Sequence, residues 1–99
     1  MISAKEFRAN KKAYQEDLER RIFTEVDRSC EVALAALSTN IHIPLTDLSI
    51  HDLRANMDWV NSKLKDLDWR LEENREQTDR TLSYDNGGTF FGTLIEVEN

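Results

Sequence analysis

Apolar residues recur along the first third of the chain at Tyr14, Leu18, Ile22, Val26, Cys30, Ala33 and Leu37, with Phe7 in register before them. Spacings of three and four place them on one stripe of a helix. Ser3 supplies an N-cap and Glu6, three positions on, completes a capping box. Neither Gly nor Pro interrupts residues 3–38, so one helix of ~50 Å is predicted, at 1.5 Å per residue. A chain this small cannot cover that length, and part of the helix is expected to protrude or to pair. The stripe is thin before Ile22 and rich from Ile22 to Leu37, which makes the later half the expected core-facing one.

Ser38-Thr39-Asn40 breaks the period. Ile41-His42-Ile43-Pro44-Leu45 then alternates, and Pro44 cannot donate to a ladder, so 41–45 reads as a short edge strand. Thr46 or Ser49 opens a second helix over 49–67, with Ile50, Leu53, Met57, Val60, Leu64 and Leu67 on one face and Trp59 beside it. The period changes to two at Trp69 and Leu71. Residues 69–97 are expected to form antiparallel strands, with a strand end or loop from Glu72 to Arg80. Leu82 and Tyr84 alternate again, Asp85-Asn86-Gly87-Gly88 offers a positive-φ turn, and Phe91 to Val97 is the returning strand. The expectation is one α+β domain over 1–99: long helix, edge strand, and a second helix on a small antiparallel sheet ending in a hairpin.

At 99 residues the core is modest, and a dimer would relieve the shortage of buried surface. The apolar share of 39% still suffices for one packed layer. The longest run without charge, Val32 to Thr46, is shorter than the ~20 apolar residues of a membrane span, and the opening Met1-Ile2-Ser3-Ala4-Lys5-Glu6 lacks the apolar middle of a secretory signal. A lone cysteine, Cys30, can form no internal disulfide. A cytoplasmic setting without membrane contact is expected.

Net charge is −6, yet residues 1–40 balance seven acids against seven bases, while 41–99 carry twelve acids and six bases. Lys5, Arg8, Lys11 and Lys12 crowd the start, but overall neutrality of the helix and its aliphatic far end favour protein over nucleic acid as partner. The acids Glu72, Glu73, Glu76, Asp79, Asp85, Glu96 and Glu98 suit either a solvated face or a docking surface for a basic protein, with Arg70, Arg75 and Arg80 interleaved.

Candidate chemistry is sparse. Cys30, His42 and His51 are the only soft ligands and lack zinc-site spacing. Gly87-Gly88 is followed by no Gly-Lys-Ser/Thr, and the carboxylates near Asp85 lack the ligand order of an EF-hand. Cys30 is expected in the core, and both histidines on the surface. No catalytic, metal or cofactor residue is assigned. The partner-binding candidates are Phe7, Tyr14, Leu18 and Ile22 on the helix and Glu72, Glu73 and Glu76 in the acidic part.

In the opening Met1 to Glu6, the segment Ile41 to Leu45, the junction Leu67-Asp68-Trp69-Arg70-Leu71-Glu72 and the closing Leu94-Ile95-Glu96-Val97-Glu98, the chain resembles small accessory proteins encoded by bacteriophages. The resemblance implies a stoichiometric binder of a host or phage protein in the host cytoplasm, in some cases an inhibitor of a defence system. It transfers no functional residue. The leading expectation is a non-catalytic protein-binding module. The alternatives are an assembly protein that homo-oligomerises through its first helix, and a small enzyme or metal-dependent hydrolase that gathers Cys30, His42, His51 and carboxylates at a subunit interface.

Overall fold

The computed structural model describes residues 1–84 and 87–98. The chain runs α1 (Ala4–Ala35), β1 (Asn40–Pro44), α2 (Ile50–Ala55), α3 (Met57–Leu64), a 3-10 turn (Lys65–Leu67), β2 (Trp69–Glu73), α4 (Arg75–Tyr84) and β3 (Thr89–Glu96). The architecture is α+β: a long N-terminal helix, a three-stranded antiparallel sheet and further helices.

β3 is the middle strand, antiparallel to β1 on one side and β2 on the other. Alternation puts Ile41, Ile43, Phe90, Gly92, Leu94 and Leu71 on one face, where they are buried. On that face they meet Leu18, Ile22, Val26 and Cys30 of α1, Leu53 of α2, and Val60 and Leu64 of α3 in a single core. Gly92 lacks a side chain because a Cβ there would lie 2.9 Å from the Glu72 carbonyl oxygen and from Leu71 and Phe90 carbons.

The sheet's spare hydrogen-bonding groups are met by side chains. β2 ends at Glu73, opposite Gly92, which leaves the outward groups of Thr89 and Phe91 without a strand. α4 takes the place of that strand. The Thr78 hydroxyl accepts from the Phe91 N–H at 2.9 Å, the Asn74 N–H donates to the Phe91 carbonyl at 2.8 Å, and the Thr81 hydroxyl accepts from the Thr89 N–H at 2.9 Å. On the outer side of β2 the Asn61 amide does the same for Leu71, accepting its N–H at 2.8 Å and donating to its carbonyl at 3.2 Å. On the outer side of β1, Ser38 accepts the Asn40 N–H at 3.1 Å and Pro44 has none to offer. Open edges invite pairing with other chains, and these contacts occupy part of each edge.

Three expectations about the elements are corrected. The first helix stops at Ala35, not residue 38, because Leu37 turns into the left-handed region at φ 58°. The Ser38 N–H then reaches the Ala33 carbonyl and the Leu37 N–H the Leu34 carbonyl, which is a Schellman ending without its usual glycine. The helix expected over 49–67 is broken at Asn56, whose amide donates to the Asp52 carbonyl at 2.7 Å and competes with the helical bond. The segment from Glu72 to Tyr84 is not loop and strand: past β2 it is α4, capped by Asn74, whose side chain accepts the Gln77 N–H at 3.2 Å. Its fully buried residue is Thr78, with Leu82 half-buried against the core, and an apolar pattern cannot register the threonine. Of the turn expected at Asp85-Asn86-Gly87-Gly88, Asp85 and Asn86 lie outside the described residues, while Gly87 and Gly88 hold φ 97° and 72°.

Thr78 is fully buried, so Thr78→Val keeps its shape but strands the Phe91 N–H. The expected loss is about 1–3 kcal/mol by denaturant titration, with Thr78→Ser losing less. At the end of α1, Leu37→Gly removes the left-handed penalty and is expected to raise stability by about 1 kcal/mol in the same assay.

Candidate contact surface

α1 is longer than the sheet it covers. Its buried positions begin at Leu18, while every residue from Ala4 to Glu16 is exposed. The exposed stretch, the arm, is about 13 residues or ~20 Å of helix. Its start is secured locally: the Ser3 hydroxyl accepts from the Glu6 N–H at 3.1 Å and the Ser3 carbonyl from the Phe7 N–H at 2.9 Å. At its root, Gln15 donates to the Asn56 side chain at 2.9 Å, which ties the arm to the break between α2 and α3. Asp17 is held by Arg20 and Arg21, and the Arg20 hydrogen bond foremost keeps its carboxyl below the usual range. An isolated helix of this length is marginal in water. The arm is helical because it continues a segment already nucleated by the core.

The stripe that packs on the sheet from Leu18 onward continues along the arm as Ala4, Phe7, Lys11 and Tyr14, with nothing beneath it. Phe7 is 58% exposed and Tyr14 57%.

Among the helix candidates, Phe7 and Tyr14 stand free on the arm. Leu18 and Ile22 do not: at 3% and 0% exposure they are core residues under the sheet, and their assignment to a partner surface is corrected. The expected core-facing half is corrected with them, since the packed segment runs from Leu18 through Cys30 to the half-buried Ala33 and Leu34, while Val32 and Leu37 face solvent.

Each acidic candidate has an arginine. Glu72 pairs with Arg70, and Glu76 accepts from Arg80 at 2.6 Å. Glu73 is drawn inward, accepting from Arg54 Nε at 3.0 and 3.2 Å and from its Nη2 at 2.8 Å, while the same Nη2 reaches Asp79 at 2.9 Å. The bond to Glu73 raises the Arg54 guanidinium above its ordinary value. This group ties α2, β2 and α4 together, so Glu73 holds the fold.

Cys30 is buried in α1, His42 is exposed on the far face of the sheet with its ring 4.7 Å from that of Phe91, and His51 is exposed in the first turn of α2. They do not converge. Among the described residues no three His, Cys, Asp or Glu side chains form a metal-sized group, and no helix is long and apolar enough to cross a membrane.

The apolar pattern did not reveal two grooves. One, of about 420 Å³, lies between α1 and α3, where Phe23 and Trp59 meet edge to face at 6.3 Å and Lys63 stands 5.8 Å from the Trp59 ring. The other, of about 360 Å³, follows the outer side of β1 beneath Val32 and Ala36. The off-stripe position of Trp59 was the one signal for the first.

No protein-family model, curated protein or solved structure matches the chain.

Burial pushes the Cys30 thiol up to about 11, with Asp27 adding to the shift, against an ordinary value of 9.0. The native thiol at pH 8 should therefore react with a thiolate-selective reagent at least ~100-fold more slowly than the denatured chain. Its rate should climb with pH until about 11. Because the unfolded thiol loses its proton first, stability should fall as pH rises from about 9 to about 11.

Proposed function

We propose that the protein is a non-catalytic binding module that works by contact with another protein, and that the helical arm is its contact surface. One observation carries this reading: the core stripe of α1 runs past the sheet and presents Phe7 and Tyr14 on a helix with no tertiary cover. Aromatic side chains on a preformed helix offer large contact area at small entropic cost, the pattern of helix-in-groove recognition.

The acidic part is the weaker candidate, because Glu72, Glu73 and Glu76 are already engaged by arginines. The likeness to phage accessory proteins makes a host or phage protein the partner class, with inhibition or modulation as the outcome of binding. A cytoplasmic setting suits a chain whose one cysteine is a buried free thiol.

The double substitution Phe7→Glu with Tyr14→Glu alters only exposed positions and should leave the unfolding free energy within about 0.5 kcal/mol of wild type. It should reduce recovery of a near-equimolar complex, formed with a different protein or with a second copy, by at least about tenfold, as expected for loss of a central aromatic contact. Leu18→Asp is the contrasting control and should unfold the chain by burying a carboxylate. Recovery equal to wild type in the double variant, or no stoichiometric complex with wild type at all, overturns the reading.

A further inference from the structure

Resting on the arm as contact surface, we propose that its occupant is the arm of a second copy, packed antiparallel about a two-fold axis level with Ala9. The stripe Ala4, Phe7, Lys11, Tyr14 follows a three-four-three spacing, which is the seam of a two-helix pair. Run against itself in the opposite direction, each member finds its complement. Ala4 lies against the partner's Tyr14 and Tyr14 against the partner's Ala4, small against large. Lys11 lies over the partner's Phe7 ring and Phe7 under the partner's Lys11, so that a cation meets an aromatic face twice.

Parallel pairing loses both. It would set Lys11 against the partner's Lys11 in the seam and Ala4 against the partner's Ala4, leaving repulsion in one layer and a gap in the other. The helix dipoles point the same way, since in the antiparallel pair they oppose one another.

The rest of the fold accommodates the arrangement. Cover by the core begins at Leu18, so the two domains lie at opposite ends of the paired arms. Arms of ~20 Å bury less than the about 800 Å² per partner of a stable complex, which makes the dimer reversible and concentration-dependent.

Two measurements on the full chain test it. Light scattering over a micromolar-to-millimolar series should show the mass rising from one chain toward two, and Lys11→Glu, which sets a carboxylate over the partner's Phe7, should weaken the association about tenfold or more. Asn10→Cys flanks the seam on the side where antiparallel helices approach their own copies, and should form a covalent dimer on mild oxidation. Glu16→Cys, on the arm's outer side, should not, and buried Cys30 gives no background. A wild-type chain that stays monomeric throughout, or cross-linking no faster at position 10 than at position 16, overturns the second-copy assignment. In that event a complex with a different protein that the Phe7 and Tyr14 substitutions abolish leaves the contact reading standing. Absence of any such complex removes both.

Discussion

Two of the three strands of this sheet are edges, and the backbone groups along an edge seek partners. In this protein part of that need is met by side chains from helices. Thr78 and Thr81 stand where a longer β2 would run beside Thr89 and Phe91, and Asn61 brackets both polar groups of Leu71. The consequence reaches the whole topology. α4 lies where it does because β2 stops opposite Gly92, before the Phe91 and Thr89 groups that α4 covers, and the Asn61 amide ties α3 to β2. Side chains from helices thus occupy edge positions that a larger sheet would fill with strands.

Much of this was legible in the sequence, and the limits were physical ones. The long helix, the edge strand at Pro44, and the strands at Trp69 and Phe91 all follow from apolar period and from residues with few conformational options. α4 was not legible because its inward face joins one apolar residue, Leu82, to hydroxyls: Thr78 is fully buried, yet counts as polar in any pattern. The break at Asn56 was hidden for a related reason, since Ile50, Leu53, Met57, Val60 and Leu64 keep their spacing through it while one amide rearranges the backbone. Leu37 misled because its apolar side chain fitted the stripe, although its backbone conformation ends the helix and leaves the side chain 96% exposed.

The proposed contact surface was half legible for the same reason. A stripe at helical spacing tells which face is apolar but not where its cover ends, since that depends on how much sheet the rest of the chain can build. Five-residue β1 and the start of the core at Leu18 fix the limit, assigning Leu18 and Ile22 to the interior and Phe7 and Tyr14 to the outside. The acidic candidates failed differently. Sequence counts charges but cannot pair them, and Glu73 meets Arg54 only because α2 and β2 are brought together.

Around the sheet, Thr78, Thr81 and Asn61 bond backbone groups, Arg54 is held by two carboxylates, and burial keeps the Cys30 thiol protonated. The arm has the opposite character: about four turns of helix nucleated by the core, with Phe7 and Tyr14 exposed on one line, and tied to the rest of the described residues at Asn56 through Gln15. A surface of that kind stabilises the folded chain very little, so its cost in exposed aromatic area is offset only when something covers it.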